Sequence, residues 1–194
     1  MDKVSYALGM NVAQNLVSSG FSNIDLASFQ DGWNTVFTGV EPAISVQEAN
    51  QVLQEHFASF ESKKVERAKV EGEAFLANNA QRTGVITLES GLQYEVIING
   101  DGKVPNATNK VKCHYHGTLI DGTVFDSSVE RNEPAVFPVG GVIQGWVEAL
   151  QMMNVGSKWR LFIPPHLAYG SQGAAGAIGP DTTLVFDVEL LGIE

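Results

Sequence analysis

Cys113, His114 and His116 stand within four residues of one another in the run Lys110 to Gly117, and their types invite a search for chemistry. An alternating strand there puts Cys113 with Tyr115 on one face and both histidines on the other. Cys113 is the only thiol in the chain and reads as a buried packing residue rather than a nucleophile. The histidines have a spacing that a metal could use, but two ligands are half of a tetrahedral set. His56 lies in a helical segment and His166 precedes Leu167; both read as ordinary surface residues. The chain has no Gly-x-Ser-x-Gly elbow, no phosphate-binding Walker loop, no His-Glu-x-x-His, and no Gly-x-Gly-x-x-Gly opening a helix after a strand. No cofactor or metal is expected. What remains is a collection of aromatic and aliphatic residues at strand ends and on one short helix, material for an apolar site.

The elements that must position those residues lie after Thr83-Gly84. Gly91 to Ile98 alternates and ends in the turn cluster Asn99-Gly100-Asp101-Gly102. Lys110 to Gly117 alternates again, and Leu119-Ile120, Asp121-Gly122 and Thr123-Val124-Phe125 give a hairpin signal. Trp159 to Ile163 and Thr183 to Leu191 supply two more strands, preceded by a helical pattern from Ile143 to Met153 that is closed by Asn154-Val155-Gly156. The sum is five or six antiparallel strands and one short helix, an α+β half-barrel. Residues 170–180, with Ala174, Ala175 and Ala177, read as a mobile loop.

The first part of the chain is helical. Val4, Ala7, Leu8, Val12, Leu16 and Val17 recur at three-to-four spacing before Gly20. Asp25 is a cap for a second helix carrying Leu26, Phe29, Trp33, Val36 and Phe37, with Gly39 as its stop. Ser45-Val46-Gln47-Glu48 is a capping box opening a third helix to about residue 79, which at 1.5 Å per residue is about 50 Å long. A helix of that length is expected to project from the body as a stalk or connector. Two short helices are too little material to bury Phe29, Trp33 and Phe37, so the expectation is a homodimer sharing one helical core. The alternative folds the first two helices onto the third within one monomer. The expected domains are 1–44, an all-helical dimerisation domain; 45–82, a long connecting helix; and 83–194, the β-rich domain that carries the apolar residues.

Of 194 residues, 12 are Lys or Arg and 22 are Asp or Glu, a net charge of −10. An acidic chain without a basic run argues against nucleic acid and anionic membranes as partners. No apolar run approaches the roughly 20 residues of a membrane span, and Met1-Asp2-Lys3 does not open a signal peptide. The expected compartment is the cytoplasm, or the periplasm if a leader has been removed; one Cys is compatible with both.

Five motifs in order then carry a resemblance: Val-Phe-Asp-Ser-Ser (124–128), Pro-Val-Gly (138–140), Val-Ile-Gln-Gly-Trp (142–146), Ile-Pro-Pro-His-Leu-Ala-Tyr-Gly (163–170) and Thr-Leu-Val-Phe-Asp-Val-Glu-Leu-Leu (183–191). Together they resemble the FKBP-type peptidyl-prolyl cis-trans isomerases. The segment from Ser5-Tyr6-Ala7-Leu8-Gly9-Met10 onward is similar to the dimerisation region of the bacterial macrophage-infectivity-potentiator branch. The resemblance implies a sheet wrapped on the short helix and, between them, a pocket built from Tyr115, Phe125, Asp126, Phe137, Val142, Ile143, Trp146, Tyr169, Ile178 and Phe186. Trp146 would be the floor, with Tyr115, Phe125 and Phe186 the walls. The Ile143 N–H and the Tyr169 hydroxyl would hold substrate carbonyls, and Asp126 would sit beside the reacting amide. It implies proline-containing polypeptides as substrates, a homodimer through residues 1–80, and macrolides such as rapamycin as candidate ligands. Ala135 stands where many eukaryotic members have a bulky aromatic, and Ala174, Ala177 and Gly179 thin the loop over the pocket, so a shallower rim is expected. The rival reading is a chaperone or adaptor using the same fold, with isomerisation incidental.

Overall fold

A computed structural model describes residues 1–21, 23–174 and 176–194. The chain forms two compact units, Met1–Lys64 and Val65–Glu194. Three helices occupy its first part: α1 (Lys3–Ser18), α2 (Leu26–Thr38) and α3 (Val46–Asn79). Their starts and stops follow local chemistry. Each cap oxygen accepts one of the orphan N–H groups of the first turn, from Ser5 at Asp2 (2.7 Å), from Ser28 at Asp25 (2.8 Å) and from Glu48 at Ser45 (3.1 Å). Gly39 ends α2 in the left-handed region, with φ of 67°. Neither α1 nor α2 buries a single residue within this chain; Phe29, Trp33 and Phe37 remain 38%, 40% and 73% exposed.

The second unit is built on one antiparallel sheet. Its strands are β1 (Val85–Thr87), β2 (Gln93–Ile98), β3 (Lys110–Leu119), β4 (Val124–Ser127), β5 (Ala135–Pro138), β6 (Lys158–Ile163) and β7 (Leu184–Ile193), and α4 (Gln144–Leu150) packs against it. The order is β1-β2-β6-β7-β3-β4, with β5 also pairing β3. Seven strands replace the five or six read from alternation. The two that escaped are β1, three residues long, and β5, whose four residues lie between Pro134 and end at Pro138, too short for a period to register. The short helix is also tighter than its sequence pattern: α4 stops at Leu150, and Met152 and Met153 continue as a turn bonded to the Ala149 carbonyl.

One face of the sheet and α4 enclose the core, in which Leu92, Val111, Val139, Leu150, Met153, Leu161, Ile163, Leu184, Val188 and Leu190 are fully buried. α4 comes close to β6 at Gly145, where a Cβ would meet the Ile163 side chain at 2.6 Å. That approach seats Trp146, Ala149 and Leu150 on the sheet.

At its end, α3 does more than connect. Residues 65–79 pack within the second unit. The Phe75 and Phe162 ring centroids are 5.9 Å apart, Gly72 leaves no room for a Cβ beside Thr183, and the buried Asn79 side chain donates to Gln93 Oε1 at 2.8 Å. Helical periodicity does not report which turns find a sheet to cover.

Candidate active site

Between the sheet and α4 opens a cavity of about 720 Å³. Tyr115 enters it from β3, Phe125 and Asp126 from β4, Phe137 from β5, and Phe186 from β7. Val142 and Ile143 precede α4, Trp146 lies in its first turn, and Tyr169 and Ile178 come from the connection between β6 and β7. All ten residues singled out in the sequence line this one space, joined by Gly141, Ala174, Gly176 and Ala177. Ala175 lies outside the described residues.

The aromatic rings meet edge to face. Trp146 makes T-shaped contacts with Tyr115 (5.6 Å between centroids), Phe137 (5.8 Å) and Phe186 (5.3 Å), and Phe125 stands against Phe186 at 5.3 Å. Each such pair contributes about 0.5–1.5 kcal/mol beyond its buried area and fixes ring orientation. Trp146 and Phe186 are buried, whereas Tyr169 is exposed at the rim. Gly117 makes the Phe125–Phe186 wall sterically feasible, since a Cβ there would come within 2.7 Å of both rings.

One polar cluster borders the apolar lining. The Tyr115 hydroxyl donates to Asp126 Oδ2 at 2.5 Å, and Arg131 donates to Asp126 Oδ1 and to the Tyr115 hydroxyl oxygen, the latter at 2.9 Å. Burial pushes the Asp126 carboxyl upward, but the Tyr115 hydroxyl, the Arg131 guanidinium and the Ser127 N–H together outweigh it and hold the group below the ordinary carboxylate range. Burial, with the Asp126 carboxylate adding to it, holds the Tyr115 phenol above its ordinary value despite Arg131. The carboxylate is therefore ionised and the phenol protonated at neutral pH. Arg131 was not foreseen. The available signal was an arginine five residues after a carboxylate, a spacing of no meaning until the turn after β4 folds back.

The residues that first invited chemistry lie elsewhere. Burial pushes the Cys113 thiol up to about 12, so it holds its proton and is a poor nucleophile. His114 and His116 do not line the cavity; their Nδ1 atoms lie 3.0 Å from Ser128 Oγ and 2.9 Å from Ser127 Oγ. Among the described residues no group of three or more His, Cys, Asp or Glu could hold a metal ion. His166 is exposed and meets the Ser90 carbonyl, whereas His56 is no ordinary surface residue: its ring stacks on Phe21 at 4.2 Å.

An apolar pocket walled by aromatic edges, with its one carboxylate engaged by a phenol and a guanidinium, defines a protein that acts by enclosing a group rather than attacking it. Comparison with known proteins gives that class a family. The family model described as FKBP-type peptidyl-prolyl cis-trans isomerase matches residues 102–191, and the one described as the domain amino terminal to FKBP-type peptidyl-prolyl isomerase matches residues 1–96. The FKBP-type 22 kDa peptidyl-prolyl cis-trans isomerase of Escherichia coli (strain K12) is 46% identical, covering 98% of this chain and 94% of its own. The outer membrane protein MIP of Legionella longbeachae is 39% identical over 100% of this chain and 85% of its own. The crystal structure of FkpA from Escherichia coli superposes with a TM-score of 0.78 at 35% identity, covering 99% of this chain and 95% of that one. The chain belongs to the FKBP-type peptidyl-prolyl cis-trans isomerase family, and its activity is isomerisation of the bond preceding proline in polypeptides.

Proposed function

We propose that the cavity between α4 and the sheet is where the Xaa–Pro bond rotates, and that desolvation lowers the barrier. The observation that carries this reading is the convergence of ten side chains, six of them aromatic, on one space. Rotation about an amide C–N bond has a barrier of about 18–20 kcal/mol because resonance stiffens it. Resonance also separates charge, so the planar amide is more polar than the twisted one. Moving an amide from water into an apolar site costs about 1–3 kcal/mol by protein mutational measures, and the planar form bears more of that cost. Each 1.4 kcal/mol or so of difference is tenfold in rate.

In this reading Trp146 lies under the proline ring, Tyr115, Phe125 and Phe186 wall it, and Phe137, Val142 and Ile178 complete the apolar surround. The Ile143 N–H and the Tyr169 hydroxyl hold flanking carbonyls. Asp126, kept ionised by Tyr115 and Arg131, borders the reacting amide. A protease-coupled assay on a prolyl peptide tests the assignment: Tyr115→Ala and Phe186→Ala each lower kcat/KM by about ten- to a hundredfold if the walls act as described. Unchanged turnover in both variants would reject the pocket. Full refolding assistance from variants without turnover would move the protein toward a chaperone role. Rapamycin is proposed as an inhibitor competing for the same apolar floor.

The proposed domains are a helical dimerisation domain at 1–44, a connecting helix at 45–82 and an isomerase domain at 83–194. We further propose a homodimer through residues 1–80. The groove lined by Val12, Leu16, Phe21, Ile24, Phe29 and Trp33 supports it, because α1 and α2 bury nothing within their own chain. No helix among the described residues is long and apolar enough to cross a membrane. The proposed compartment is the cytoplasm, with the periplasm as the alternative; the single free thiol fits both, and cell fractionation decides between them.

A further inference from the structure

β3 changes partner along one side. Lys110–Cys113 pair with β5, and His116–Thr118 pair with β4. His114 and Tyr115 fall in the interval, so the Tyr115 main chain finds no ladder partner in either strand. A buried backbone donor without an acceptor is costly, and the strand needs a substitute. Ser128, the residue after β4, provides it. Its N–H donates to the Tyr115 carbonyl at 3.0 Å, and the Tyr115 N–H donates to its Oγ at 2.7 Å.

The hydroxyl has one proton left to give. It lies 3.2 Å from the Tyr115 carbonyl oxygen and 3.0 Å from His114 Nδ1. When that nitrogen is unprotonated it can accept the proton; when it carries its own, it donates to Oγ and the hydroxyl turns to the Tyr115 carbonyl. Ser128 is fully buried and satisfied in both cases. The neighbouring Ser127 reaches different groups, His116 Nδ1 at 2.9 Å and the Glu130 N–H at 3.2 Å.

The geometry points to Ser128 as a positioning residue for isomerisation: its side chain stands in for a missing ladder rung, fixing the Tyr115 main chain and with it the ring against Trp146 and the hydroxyl on Asp126. This rests on the reading of Tyr115 as a pocket wall. The same chain supplies a matched comparison. Ser157 is also fully buried and also accepts a backbone N–H, from Gly100 at 2.9 Å, but it lines no part of the cavity. Two buried serines of one kind thus brace different things.

The experiment compares full-length Ser128→Ala, Ser157→Ala and Tyr115→Ala in thermal melts and in the prolyl-peptide assay. Both serine variants are expected to melt at lower temperature. Only Ser128→Ala is expected to lose kcat, by about tenfold with KM within about twofold, because the misplaced ring costs transition-state fit rather than binding. A kcat for Ser128→Ala equal to that of Ser157→Ala would overturn the proposal. If Ser128→Ala does not fold, Ser128→Cys, of similar shape but a weaker acceptor, decides it: a kcat loss of about threefold or more supports the role, and an unchanged kcat removes it. Full activity in Tyr115→Ala would instead remove Tyr115 as a pocket wall, and this proposal with it.

Discussion

At the scale of single residues the site depends on keeping one charge pattern fixed while an apolar substrate group comes and goes. Asp126 is held below the ordinary carboxylate range and Tyr115 above the ordinary tyrosine range, so neither changes charge between mildly acidic and mildly basic pH. What Asp126 contributes to stability is complete above its unfolded value and is lost only as pH falls through its lower folded one. Tyr115 acts in the opposite direction: its contribution is complete at low and neutral pH and is lost as pH rises past the unfolded phenol value. The expected kcat/KM is flat from about pH 5 to pH 9, where a general acid–base pair would give a bell; the prolyl-peptide assay in overlapping buffers checks this. Arg131→Ala is expected to lower kcat/KM about three- to tenfold with little change in melting temperature, because a half-exposed ion pair contributes only about 0–1 kcal/mol to stability. Gly117→Ala should act on both. Its Cβ would press on the rings of Phe125 and Phe186, a strain of about 1–3 kcal/mol, so reduced activity and a lower melting temperature are expected together.

Among the elements, the end of α3 belongs physically to the sheet. Gly72 against Thr183, the residue before β7, Phe75 against Phe162 of β6, and Asn79 on Gln93 of β2 join turns of this helix to the sheet. Arg82 extends the join with a hydrogen bond to Asn79 Oδ1 and an ion pair to Glu95. A fragment of residues 65–194 should therefore melt at a higher temperature than one of residues 83–194, with the cavity and its residues present in both. Phe75→Ala in the full chain should cost about 1–3 kcal/mol, less than a fully buried ring because Phe75 is half-buried. Chemical denaturation of these four proteins measures both effects. Equal stability of the two fragments would return the helix end to the role of a plain connector.

For the whole molecule, the contrast between the two units is one of apolar surface with and without cover. The second unit buries a core of large aliphatic residues between α4 and the sheet, while no residue of α1 or α2 is buried. Light scattering on the full chain is expected to give twice the 20.9 kDa mass, and Trp33→Glu is expected to shift it to one. Two tethered isomerase sites would raise the effective concentration of prolyl bonds for a client held at either one. Competition by a proline-rich unfolded chain should accordingly be weaker against the Trp33→Glu monomer than against the parent.

The helix caps at Asp25 and Ser45, the stop at Gly39, the alternation of β2, β3, β6 and β7, and the motif-bearing pocket residues were all legible in the letters. The caps, the stop and the strands are each set within a few residues of chain, by a capping oxygen, a left-handed glycine or a two-residue period; the pocket residues were legible only through the family resemblance that their motifs carry. Arg131 on Asp126, Ser128 on the Tyr115 main chain, Gly117 beneath two rings, β5 completing β3, and α3 docking on the sheet were not. These are meetings between segments far apart or folded back on themselves. No local period encodes them, because the free energy that selects them, burial and hydrogen-bond satisfaction, exists only once the sheet has brought both partners together.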